Sequence, residues 1–133
     1  KALSVYKSNT DTGQLTSIQK AAAFALNSDQ ICIAKHNAIY KERMNAMLDG
    51  LSRIGIEVNP PKGSFFIWAP VPNGYTSAEF VSSVMEQTGV ILTPGNAFGP
   101  SGEGYFRVSL SVPNERLYEA VNRIKEKLKI VIG

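Results

Sequence analysis

One cysteine, one histidine and one tryptophan are all that 133 residues supply of those three types. A lone Cys32 excludes an internal disulfide framework and suits a reducing compartment. It stands among Ile31, Ile33 and Ala34 in a helical pattern, which reads as a small apolar packing residue. His36, four residues on, could share a metal with it on one helix face. Two ligands without a carboxylate are too few for a structural site, so no metal is expected. Charge of one sign is also scarce: 14 basic against 11 acidic residues leave +3. The densest basic stretch, Arg123 to Lys129, is interrupted by Glu126 and carries no interleaved aromatic residues, so it reads as a solvated helix face. No apolar run approaches the length of a membrane span, and no leader-like n-region and h-region open the chain. Repeats and low-complexity tracts are missing too.

What is present is ordinary globular patterning in a chain of single-domain size. Leu15, Ile18, Ala22, Ala25 and Leu26 form one helical stripe, broken at Asn27-Ser28-Asp29, where Ser28 or Asp29 can cap the next helix. From Gln30 to about Ile54, Ile33, Tyr40, Met44, Met47, Leu48 and Leu51 keep helical spacing, and Gly55 ends the run. A helix of that length reaches about 35 Å, enough to cross a small domain as a spine. Strands are expected over Ile56–Val58, Ser64–Ala69, Val90–Thr93 and Gly104–Ser111. Thr76-Ser77-Ala78-Glu79 is a capping box that opens a helix carrying Phe80, Val81, Val84 and Met85 inward, with Gly89 as its stop. A last helix buries Leu117, Val121, Ile124 and Leu128. The expected class is α+β, a small and largely antiparallel sheet packed with helices and one long N-terminal spine helix.

Chemistry concentrates in one strand. Alternation over residues 104–111 puts Tyr105, Arg107 and Ser109 on one face and Phe106, Val108 and Leu110 on the other. An arginine held on such a strand offers a planar fork that matches a carboxylate with two parallel hydrogen bonds. Read from the strand alone, Arg107 is a solvated surface residue; its neighbours in sequence change that. Phe65, Phe66 and Trp68 read as core first, with a pocket-shaping role second. Asn96, Phe98 and Gly99 fall in a loop that either closes over a ligand or merely connects. Gly95, Gly99, Gly102 and Gly104 do not lead from a strand into a helix, so they do not make a phosphate cradle.

Thr93-Pro94-Gly95-Asn96-Ala97-Phe98-Gly99, then Gly104-Tyr105-Phe106-Arg107-Val108-Ser109-Leu110-Ser111, then Pro113-Asn114-Glu115-Arg116-Leu117, resemble in that order the C-terminal domain of pyridoxal-phosphate-dependent aminotransferases of the aspartate aminotransferase fold type. Lys7-Ser8-Asn9-Thr10-Asp11-Thr12-Gly13-Gln14 resembles the family's interdomain segment, and Pro61-Lys62-Gly63-Ser64-Phe65-Phe66-Ile67-Trp68 its small-domain strand entry. Nearly the whole chain is covered, and the likeness is strongest to the LL-diaminopimelate and aspartate-type members.

The resemblance divides the chain into an interdomain segment, residues 1–14, and a small domain, residues 15–133. It implies that Arg107 binds the substrate α-carboxylate, and that Asn9 approaches the neighbouring subunit's site in a homodimer. The competing reading of Asn9 is turn chemistry in Asn-Thr-Asp-Thr-Gly. Pyridoxal 5'-phosphate is implied for the full-length enzyme and not for this fragment. None of the nine lysines sits in the family's Ser-x-x-Lys or Ser-Lys run with an arginine shortly after for the cofactor phosphate, and the cofactor's aspartate and phosphate loop belong to a large domain not found here. The chain therefore reads as a catalytically silent C-terminal piece of a cytoplasmic enzyme that moves amino groups between amino acids and 2-oxo acids. A naturally short paralogue is the competing account of its length. Two alternatives keep the fold: a lyase or synthase of the same fold type, and the ligand-sensing domain of an aminotransferase-like transcription regulator. With a large domain removed, Leu15, Ile18, Met44 and Met47 are expected to exceed what the piece can bury, and so to drive self-association.

Overall fold

The computed structural model describes residues 1–10 and 13–130, arranged as two compact units, Lys1–Lys35 and His36–Gly133. Asp11 and Thr12, within the expected interdomain segment, lie outside the described residues.

The first unit contains two helices, α1 (Ala2–Thr10) and α2 (Thr16–Asn27), neither of which buries a residue. Lys7 to Thr10, expected as segment or turn, are helical. Their polar side chains turn back onto the helix, Asn9 Nδ2 donating to the Val5 carbonyl at 2.8 Å and Thr10 Oγ1 to the Tyr6 carbonyl at 2.8 Å. Such back-bonding satisfies these polar side chains inside a helix at a slight cost to its stability. The stripe from Leu15 to Leu26 forms its helix, yet Leu15 and Ile18 are exposed.

Helix α3 spans Ile31–Ser52, within two residues of its expected limits. The Ile31 N–H donates to Asp29 Oδ1 at its start. Its end is a paired closure: the Ile56 N–H reaches the Leu51 carbonyl and the Gly55 N–H the Ser52 carbonyl. Gly55 takes φ +82 there, where a side chain would be strained. Met44, Met47 and Leu51 are buried, so the two methionines do not add to an exposed face as expected.

The sheet has three antiparallel strands in the order β1-β3-β2: β1 (Phe66–Pro70), β2 (Thr93–Pro94) and β3 (Tyr105–Ser109). Two strand expectations are corrected. Residues 56–58 form no strand; Ile56 enters the core, but Pro60 and Pro61, which follow, lack the N–H a ladder needs. The strand expected over Val90–Thr93 shrinks to Thr93–Pro94, with Leu92 buried and Ile91 exposed. Between β1 and β2, α4 (Ser77–Thr88) starts on the full capping box of Thr76 and Glu79 and stops at Gly89 in the left-handed conformation. Phe80 and Val84 point inward, whereas Met85, expected inside, is exposed. Helix α5 (Asn114–Lys127) buries Leu117, Val121 and Ile124.

One face of the sheet is the core. Ile67 and Ala69 of β1 and Phe106 and Val108 of β3 meet Met47 and Leu51 of α3, Phe80 of α4 and Leu117 of α5. Burial of each large side chain contributes roughly 1.5–3 kcal/mol. At Gly50 a Cβ would lie 2.8 Å from Val121 Cγ1, so α3 and α5 approach at a residue without a side chain. The other face of the sheet carries Arg107.

Candidate functional site: an arginine framed by aromatic rings

The strict alternation of β3 decides which way Arg107 points. Phe106, Val108 and Leu110 are buried, so Tyr105, Arg107 and Ser109 must face away from the core. Arg107 lies on the central strand, opposite Trp68 of β1 and Thr93 of β2. By the same register Phe66 stands opposite Ser109 and Pro70 opposite Tyr105, so Phe66 and Trp68 share Arg107's face.

Both ends of this strand are pinned by polar side chains. At its start, Ser77 Oγ accepts from the Gly104 and Tyr105 N–H groups at 2.9 and 3.2 Å. The Ser77 N–H donates in turn to Glu103 Oε1 at 2.8 Å. That bond is the leading reason the Glu103 carboxyl is held below its ordinary value of 4.5. Just beyond the other end, Arg43 of α3 donates from Nη1 to the Leu110 carbonyl at 2.9 Å and from Nε to Asn114 Oδ1 at 2.6 Å. Neither Ser77 nor Arg43 is conspicuous in the sequence, because each acts on a strand many positions away.

The guanidinium itself is surrounded by rings. Its central carbon lies over Phe66 at 4.2 Å and over Phe98 at 4.6 Å from the ring centroids. Trp68 meets Phe98 edge-on at 5.8 Å and stacks with Tyr105 at 5.7 Å. Arg107 Nε is buried without a hydrogen-bond partner. No carboxylate of the described residues pairs with Arg107. A half-buried cation with neither counter-ion nor acceptor is costly unless an anion completes it. The planar fork and low-dielectric aromatic walls suit a carboxylate held by two in-plane bonds.

Phe66 and Trp68 are thus corrected from core residues to walls of the site; Ile67 and Ala69 supply the core from that strand. The sequence signal was there in the period-two spacing, masked by the length of the aromatic run. Phe98 belongs to a 3-10 turn, Gly95–Phe98, followed by a second, Pro100–Gly102. Asn9, the other expected site residue, belongs to the first unit, exposed on α1 and bonded to its own helix.

Among the described residues no three histidine, cysteine, aspartate or glutamate side chains converge to hold a metal, and no helix is long and apolar enough to cross a membrane.

Residues 9–124 match the family model described as aminotransferase class I and II. The LL-diaminopimelate aminotransferase of Oleidesulfovibrio alaskensis is 48% identical over 118 residues, covering 89% of this chain and 30% of the relative. That of Maridesulfovibrio salexigens is 47% identical over 120 residues, covering 90% and 31%. Among solved structures, an aminotransferase from Staphylococcus aureus superposes with a TM-score of 0.82 at 29% identity, over 94% of this chain and 33% of that one. Apo-BacF from Bacillus subtilis gives 0.78 at 32%, over 94% and 32%. The chain spans about a third of the length of the relatives it matches. An unpaired strand arginine among aromatic rings, on an α+β fold with these sequence and structural likenesses, leaves one conclusion: the chain belongs to the class I and II aminotransferases.

Proposed function

We propose that the protein carrying this chain moves an amino group between LL-diaminopimelate and a 2-oxo acid, as a cytoplasmic homodimer, and that Arg107 holds the substrate's α-carboxylate. The observation that carries the assignment is the state of Arg107: a cation half-buried among aromatic rings, with neither an acceptor on Nε nor a paired carboxylate among the described residues. The substrate class rests on relatives named LL-diaminopimelate aminotransferases at 46–48% identity.

Pyridoxal phosphate, the cofactor of this family, supplies when bound the electron sink that lets a proton leave the amino-acid Cα. The lysine that would carry it is proposed to lie in the family's large domain, since none of this chain's nine lysines stands in a Ser-x-x-Lys or Ser-Lys run with an arginine shortly after. The described lysines lie on the surface, the least exposed being Lys125, which pairs with Asp49 at 3.0 Å. The chain's part is substrate holding. A carboxylate gripped by two N–H donors of the Arg107 fork cannot rotate about its own axis, which fixes how the bonds at Cα are presented. Phe66, Phe98 and Trp68 exclude water from the ion pair and strengthen it. Asn9 is proposed to reach the partner subunit's site from α1.

The test is amino-group transfer from LL-diaminopimelate to 2-oxoglutarate by the complete protein, followed as glutamate formed. Activity that Arg107→Ala lowers by about two orders of magnitude or more and Asn9→Ala weakens is the expected result. Turnover of the same amino acid by elimination, with no glutamate formed, would replace transfer with a lyase reaction.

A further inference from the structure

An arginine that must present its fork at a fixed angle needs something to hold it. Arginines in protein interiors are ordinarily held through hydrogen bonds from the fork to carboxylates or carbonyls. Arg43 of this same chain shows that arrangement, with Nε on Asn114 and Nη1 on a backbone carbonyl. Among the described residues Arg107 has none of it. Its Nε is orphaned, and what touches the guanidinium is aromatic on two sides of the sequence, Phe66 from β1 and Phe98 from the 3-10 turn after β2.

A guanidinium lying over a ring keeps its donors directed sideways, in its own plane, and is held there by attraction to the ring face. Phe66 is fixed by the ladder between β1 and β3. Phe98 has no ladder to fix it, but its turn is seated by backbone. A Cβ on Gly95 would lie 2.1 Å from the Gly102 carbonyl oxygen, and one on Gly102 would lie 2.0 Å from that of Gly95. The two 3-10 turns therefore cross at a contact only paired glycines allow. Glu103, directly after the crossing, is tied to the start of α4 through Ser77. Trp68 braces Phe98 from the side. Phe98 is half exposed, so its ring is not spent on filling the core.

We propose that Phe98 is a positioning residue: together with Phe66, its ring aligns the Arg107 guanidinium for two-point binding of a carboxylate. The crossed glycines at 95 and 102 seat that ring. The proposal rests on Arg107 being the carboxylate-binding residue.

A double-mutant cycle in the complete protein tests it, with LL-diaminopimelate and 2-oxoglutarate as the probes. Phe98→Leu is expected to lower kcat/KM about tenfold, and Phe98→Tyr to stay within about twofold of the parent, since tyrosine keeps the ring face. In an Arg107→Lys background Phe98→Leu should cost no more than about twofold further, because an ammonium has no plane to align. Melting temperatures should hold within a few degrees, as expected at an exposed position. An equal loss from Phe98→Leu in both backgrounds would make Phe98 an independent wall contact and overturn the proposal, as would no loss in the parent. If Arg107→Lys itself leaves kcat/KM unchanged, the carboxylate assignment fails first, and the positioning role falls with it.

Discussion

Truncating Arg107 to alanine should separate substrate binding from folding, because the two effects on this side chain differ in size and origin. A hydrogen bond between charged partners contributes about 1.5–3 kcal/mol, and a bidentate pair loses two. Each 1.4 kcal/mol is tenfold, so kcat/KM for the amino acid should fall by about two orders of magnitude or more. For stability the contributions oppose each other. Removing the cation forfeits its stacking over Phe66 and Phe98, about 0.5–2 kcal/mol. It also removes a buried Nε without an acceptor, whose desolvation costs about 1–3 kcal/mol. The core beneath, Phe106, Val108 and Leu110, is untouched. The net should lie within about 1–2 kcal/mol of zero, a shift of only a few degrees in melting temperature at this size. Arg107→Lys should recover part of the activity, keeping the charge without the planar fork. Steady-state kinetics on both variants of the complete protein, beside thermal melts by circular dichroism, provide the comparison. Near-normal kcat/KM in Arg107→Ala would refute the carboxylate clamp, and a melting temperature lowered by about ten degrees or more would make the arginine structural.

Glu103 gives a pH signature. Its carboxyl titrates below 4.5 in the folded chain because the Ser77 N–H donates to it, so its contribution to stability is present above about pH 4.5 and is lost as pH falls through the lowered value. Glu103→Gln should therefore melt below the parent at pH 7, and the gap should narrow in acid; a gap that widens in acid would reverse the sign of the linkage. As an isolated piece the chain should self-associate, since Leu3, Phe24 and Leu26 are each more than three-quarters exposed on helices that bury nothing. A strictly monomeric sedimentation profile at high concentration would count against this. Pyridoxal phosphate added to the isolated chain should label surface lysines without preference; borohydride reduction followed by peptide mapping to one stoichiometric lysine would show that the chain holds a cofactor site after all.

How much of this was legible beforehand follows the range of the forces involved. Periodicity and caps act within a few residues, and they placed α3, α4 and α5 and the alternation of β3 to within a few positions. The capping box at Thr76 and the left-handed Gly89 were local chemistry, read directly from residue types. Arg107 was legible as a strand arginine, and its role as a resemblance. What sequence could not supply was which side chains meet. Whether Phe66 and Trp68 enter the core depends on which face of β1 the helices cover, and the register with β3 turned them toward Arg107 instead. Met44 and Met47 are buried in one core cluster with residues of the sheet, α4 and α5, a matter of packing among elements distant in the chain. Val90–Thr93 looked like a strand by composition, but a ladder needs a partner in register, and β3 offers one only to Thr93 and Pro94. The Ser77, Glu103 and Arg43 bonds that pin β3, and the glycine crossing that seats Phe98, join residues whose separations carry no period. Residue types and their spacing settle α3, α4 and α5 and put a cation on an alternating strand. That this cation lies against rings, with no carboxylate partner among the described residues, comes from packing, because pairing and burial are set by side chains brought together in space.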